Sequence, residues 1–83
     1  METIRIDVYL PAAGHSYELR IPQTMNCLLA AHLTADALAE LSDGTYRSSR
    51  SSIFAWQDSG KLLDMTHSLA QEHVRNGSRL LLI

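Results

Sequence analysis

Residues 3–10 alternate strictly between side chains of two kinds, Ile4, Ile6, Val8 and Leu10 against Arg5, Asp7 and Tyr9. A period of two sends successive side chains to opposite faces, which marks a half-buried strand with its aliphatic face inward and excludes an amphipathic helix as the opening element. Pro11 cannot donate to a ladder and stops the strand. Pro11-Ala12-Ala13-Gly14-His15 reads as a turn in which Gly14 supplies a positive φ. Alternation resumes over residues 16–21, with Tyr17, Leu19 and Ile21 inward and Glu18 and Arg20 outward. The chain therefore opens as a β-hairpin.

Pro22 ends the second strand, and Thr24 stands where a helix N-cap is expected. From residue 25 to about residue 41 there is no proline or glycine, and five alanines raise the helix propensity. Leu28, Ala31, Ala35 and Leu38 recur at three- and four-residue spacing and form one stripe, while His32, Asp36 and Glu40 share another face. Leu29 and Leu33 fall outside the stripe, beside Asp36 and Glu40. They pack at the edge of the core or offer a partner or self-association surface. Asp43-Gly44 supplies a left-handed exit. Thr45-Tyr46-Arg47-Ser48-Ser49-Arg50-Ser51-Ser52 is polar and non-periodic, a connector.

Residues 53–58 read as a third strand. Phe54 and Trp56 share one face and Ile53, Ala55 and Gln57 the other; bulk favours Phe54 and Trp56 inward, and the opposite facing would make an exposed Phe54-Trp56 pair the strongest binding-site candidate. Asp58-Ser59-Gly60-Lys61 is a turn, followed by the short apolar pair Leu62-Leu63. Residues 68–73 form one helical turn anchored by Leu69 and Val74, and Asn76-Gly77 turns the chain into a last strand at 79–83. With Leu80 and Leu82 against the helix, Leu81 and Ile83 point away from it, and a single helix covers only one face of a sheet. A right-handed crossover makes the last strand parallel to the first. The expected fold is α+β, a β-grasp with a mixed sheet of four to five strands and one helix packed on one face.

The chain has 83 residues, enough for a single domain spanning 1–83. Its formal charge of −2, with Arg5, Arg20, Arg47, Arg50, Lys61, Arg75 and Arg79 scattered among acids, argues against a nucleic-acid partner, which calls for clustered basic residues. No apolar run approaches the roughly 18 residues that span a bilayer, and Met1-Glu2-Thr3 lacks the basic and apolar blocks of a secretory signal. The expectation is a cytoplasmic protein with no direct membrane insertion. One cysteine, Cys27, excludes an internal disulfide framework and any multi-cysteine zinc site. His15, His32, His67 and His73 include no pair at the helical i,i+4 spacing that would force convergence on a metal, so no metal or cofactor is expected. Cys27 lies in the first helical turn with no histidine fixed beside it and reads as a small core residue. With neither nucleophile elbow nor phosphate loop, no catalytic residue is expected and the chain reads as non-enzymatic.

Over nearly its whole length the chain resembles ubiquitin-like proteins. The resemblance rests on Ser16-Tyr17-Glu18-Leu19-Arg20-Ile21, on Ser59-Gly60-Lys61-Leu62-Leu63-Asp64, and on the closing pattern Leu69-x-x-x-x-Val74-x-Asn76-Gly77-x-x-Leu80-x-Leu82. More narrowly, Leu19-Arg20-Ile21-Pro22 and the segment from Val74 through Arg79 to Ile83 look like the YukD/EsaB family, small bacterial ubiquitin-like proteins associated with type VII secretion. A similar module forms the cytosolic N-terminus of the membrane component EccD. Ubiquitin and the bacterial sulfur carriers carry a Gly-Gly tail for conjugation or thiolation. This sequence has no glycine after Gly77, so the expectation is a non-conjugating module.

The resemblance implies a protein partner, a membrane-associated component of the secretion machinery. It would bind the sheet face opposite the helix, at Ile53, Ala55, Leu81 and Ile83, where ubiquitin presents an apolar patch. A homo-oligomer through Leu29 and Leu33 or through the same sheet face is the second expectation, as a self-associating β-grasp scaffold outside secretion. A fragment of a longer EccD-like membrane protein, or of a sulfur-carrier-type protein, is the third.

Overall fold

A computed structural model describes residues 3–42 and 51–83. Among them the chain forms β1 (Thr3–Leu10), β2 (His15–Pro22), α1 (Cys27–Leu41), β3 (Phe54–Trp56) and β4 (Ser78–Leu82). The expected exit at Asp43-Gly44 and the serine-arginine connector up to Arg50 lie outside the described residues.

The four strands make one mixed sheet in the order β2-β1-β4-β3. β1 pairs antiparallel with β2 along its full length, from Thr3 opposite Pro22 to Leu10 opposite His15. The hairpin closes where the amides of Ala13 and Gly14 donate to the Leu10 carbonyl at 3.0 and 2.9 Å, with Gly14 at φ 67°. β4 runs parallel to β1, with Val8 opposite Leu80, as the crossover rule requires. β3 closes the other edge antiparallel to β4. This is the β-grasp arrangement expected from the hairpin-helix-strand order. The possible fifth strand is reduced to a single bridge between Ala55 and Leu62.

Opposite residues share a face, so one face carries Ile4, Ile6, Val8, Leu10, Ile21, Leu80, Leu82 and Phe54, all buried. The expected inward facing of Phe54 and Trp56 holds: Phe54 is fully buried, and Trp56, half-buried, packs on the core. β3 is shorter than the expected 53–58. Trp56 donates its amide to the Lys61 carbonyl and accepts from the Gly60 amide, so the chain already turns at its end.

The helix departs from expectation in two respects. It begins at Cys27, capped by Asn26 rather than Thr24; the Asn26 side chain accepts from the Leu28 and Leu29 amides at 2.9 and 3.4 Å. Asn is the stronger cap, and residues 23–26 are held elsewhere: the carbonyls of Gln23 and Met25 accept from the amides of Ala70 and Leu69. The buried stripe is Cys27, Ala30, Ala31, Thr34, Ala35 and Leu38, which leaves Leu28 outside it, 44% exposed. The sheet-facing side is thus built mainly of small side chains, with Leu38 its one large aliphatic residue.

Residues 68–73 are a single capped turn. The Ser68 amide donates to Gln71 Oε1 and the Gln71 amide to Ser68 Oγ, a reciprocal box. The Val74 amide then closes onto the Leu69 carbonyl, with His73 at φ 64°, so the turn stops there. Leu69 and Val74, its expected anchors, are both fully buried.

Candidate functional site: the sheet face opposite the helix

The face turned away from α1 is assembled by register. Tyr9 lies opposite Leu81, Leu81 opposite Ala55, and Ala55 bridges to Leu62, giving an apolar row across β1, β4, β3 and the segment beyond. Ile53 and Ile83 exchange both backbone hydrogen bonds at 2.9 and 3.0 Å and extend the row by one further pair. On its other side runs a polar row: Asp7 lies opposite Arg79, and the Gln57 amide donates to the Arg79 carbonyl. The result is an apolar strip bordered by both signs of charge, the anatomy of a contact surface with a polar rim.

Of the residues expected here, Ile53, Ala55, Leu81 and Ile83 are brought together. Ile83 is 54% exposed, while Ile53 and Leu81 are half-buried. Ala55 requires a correction. It is only 1% exposed, because Leu81 and Leu62 flank it on the two neighbouring segments; it forms the floor between them and offers almost no contact area. Leu29 and Leu33, 51% and 48% exposed, lie on the helix, on the other side of the sheet, and take no part in this strip. Leu33 instead lines a groove between α1 and β2, with Leu19, Ile21, Pro22 and Met25.

Two members of the strip were missed in the sequence. Leu62, 54% exposed, belonged to an apolar pair with no facing assigned. The structure assigns it: Leu63 is buried and its amide donates to the Phe54 carbonyl, and alternation then turns Leu62 outward. Tyr9 was read only as the polar-face member of β1, and its apolar neighbour becomes visible only once β4 is placed beside it.

The titratable groups offer a different kind of site. His67 Nδ1 lies 2.8 Å from Glu72 Oε2, and His67 Nε2 lies 3.6 Å from Asp64 Oδ2. The bond to Glu72 raises the imidazole above its ordinary value, and the same bond lowers Glu72. Asp64 is held low chiefly by the Thr66 hydroxyl, which donates to it at 2.6 Å, and by the Thr66 amide. His67 is thus engaged by two carboxylates. Cys27 is fully enclosed, and burial pushes its thiol up to about 11, with the negative Glu72 and Asp64 adding to the effect. That is the opposite of an activated nucleophile. Among the described residues no group of three or more His, Cys, Asp or Glu side chains is placed to hold a metal ion.

By sequence, the chain matches no family model and no curated protein. Solved structures match it closely. The ubiquitin-like domain of EccD5 from Mycobacterium xenopi superimposes with a TM-score of 0.81 at 12% identity, covering 100% of this chain and 94% of that one. The ubiquitin-like domain of the Mycobacterium tuberculosis type VII secretion system protein EccD1 gives 0.77 at 20% identity, covering 100% and 99%. The fold is ubiquitin-like. A chain of the MycP5-free ESX-5 inner membrane complex also matches, with a TM-score of 0.79 and 15% identity, this chain corresponding to 21% of its length. At these identities the likeness is one of fold. The ubiquitin-like fold is generally a non-catalytic module. Among the described residues no helix is long and apolar enough to cross a membrane.

Proposed function

We propose that residues 1–83 act as one ubiquitin-like protein-protein interaction module, an accessory or regulatory component of a bacterial type VII secretion system on the cytoplasmic side of the membrane. The observation that carries this reading is the apolar strip of Tyr9, Leu81, Leu62, Ile53 and Ile83 over the Ala55 floor, bordered by Asp7, Arg79 and Gln57. Such a strip binds through buried aliphatic area and is oriented by its charged rim. The secretion context is supported by the structural likeness to the EccD1 and EccD5 domains and to a chain of an inner membrane complex. The YukD/EsaB-like motifs of β2 and β4 add the reading of a small accessory protein. The partner is then a secretion component held at the membrane.

The test compares proteins captured from lysate by the wild type and by Leu81→Asp/Ile83→Asp, each shown to be folded by circular dichroism. Selective loss of a membrane-associated secretion component from the variant's capture is the expected result. Identical capture by both forms would remove function from this face.

A further inference from the structure

β2 is an edge strand. In the order β2-β1-β4-β3 it has a neighbour on one side only, and its register with β1 is unbroken over all eight residues. Long, regular edges invite a further strand. The side chains along this edge carry an unresolved electrostatic pattern. Arg5 lies opposite Arg20 and Asp7 opposite Glu18, two like-charged cross-strand pairs, an arrangement that disfavours the pairing. Glu18 and Arg20 are exposed, and neither has an ion-pair partner among the described residues. On the inner face the same strand presents half-buried Tyr17 and Leu19 beside the groove lined by Leu33 and Met25.

We propose that this edge pairs with β2 of a second copy of the chain, antiparallel about a two-fold axis through Leu19. Side-chain alternation restricts the choice of axis, since residues brought opposite one another must share a face. An axis at Glu18 sets Glu18 against the partner's Glu18, and an axis at Arg20 sets Arg20 against the partner's Arg20. Only the axis at Leu19 sets Glu18 against the partner's Arg20, and by symmetry Arg20 against the partner's Glu18. The outer face then reads Arg5, Arg20, the partner's Glu18, the partner's Asp7, so each like-charged pair meets the opposite one. On the inner face Leu19 meets the partner's Leu19 and Tyr17 meets the partner's Ile21, closing the groove at Leu33. Residues 16–22 are paired, with Pro22 at the end of the ladder, where its missing amide costs least. The sheet becomes eight-stranded, and the strip around Leu81, on the far strands, stays open on both copies.

Charge exchange tests this without disturbing the monomer, because Glu18→Arg opposite Asp7 and Arg20→Glu opposite Arg5 each convert a like-charged pair into an attractive one. Mass in solution is measured over a concentration series by sedimentation. The wild type is expected to double from 9.2 kDa as concentration rises, and each single variant to remain monomeric. An equimolar mixture of the two variants regains the dimer, since their charges are complementary in this register, and so does the double variant E18R/R20E by itself. A wild type that stays monomeric throughout, a dimer unaffected by Glu18→Arg, or a mixture that fails to associate would each overturn the proposal.

Discussion

Cys27 shows how one position can serve packing and charge together. It is the first residue of α1, where a helix N-terminus ordinarily lowers a thiol pKa, yet its thiol is pushed up to about 11 by burial and by the carboxylates of Glu72 and Asp64. Enclosure outweighs the dipole because the side chain is entirely shielded from water. In the native protein Cys27 should resist iodoacetamide at mildly alkaline pH, and the thiol should become reactive only on unfolding. Labelling followed by mass spectrometry checks this, and rapid modification of the folded protein would contradict it. The sequence made Cys27 legible as a core residue because a lone cysteine in a helix is ordinarily a small core side chain. Its acidic neighbours were not legible, since they arrive from a distant loop.

Between residue and domain, the informative unit is the clasp of residues 64–74 over the start of α1. The His67 carbonyl accepts from the Cys27 amide at 2.8 Å, and Asn26 Nδ2 donates to the Thr66 carbonyl across 40 positions of sequence. Helix termini leave several amides without intrahelical partners, and here the Asn26 side chain and the clasp supply those partners. Asn26→Ala should lower stability by about 1 kcal/mol from the lost cap alone, with the loss of the Thr66 bond adding to it, as read by denaturant unfolding. A loss near zero would mean that the clasp, without the cap, suffices.

The clasp also sets a pH response. His67 is raised in the fold, so its contribution is complete below its ordinary value of 6.5 and fades as pH rises through the folded-state value above it. Glu72 is lowered, so its contribution is complete above its ordinary 4.5 and fades as pH falls through the folded-state value below it. The pairing is therefore strongest between those two ordinary values. The difference in Tm between wild type and His67→Gln should be largest in that window and shrink toward alkaline pH; a difference that grows with pH would refute the assignment. At this scale, elements of period two were easy to read: β1 and β2 follow from alternation alone, whereas the facing of β3 rested on the bulk of Phe54 and Trp56. The helix face was harder, because Leu28, Leu29 and Leu33 compete with Cys27 and the alanines for the inward position, and only the approach of the sheet decides between them.

At the scale of the whole molecule, the strip depends on what register brings together. No segment contains the strip; Tyr9, Ile53, Leu62 and Leu81 come from four separate stretches. The Leu81 and Ile83 facing was legible because one helix cannot cover both faces of a sheet. Tyr9 and Leu62 were not, since their neighbours depend on strand order and on a bridge that no local pattern encodes. The β2 edge lies at one side of the sheet and the strip at the other, so pairing through the edge would present two strips on one rigid body, and a binder with two sites gains avidity when its target also has two.

β1 and β4 lie side by side and parallel at the centre of the sheet. The start of β1 and the end of β4 therefore point in opposite directions along a shared ladder. A pulling force applied between those two points would load the hydrogen bonds of that ladder together, in shear, rather than opening them one at a time like a zipper. Tension along the chain would meet those bonds acting together.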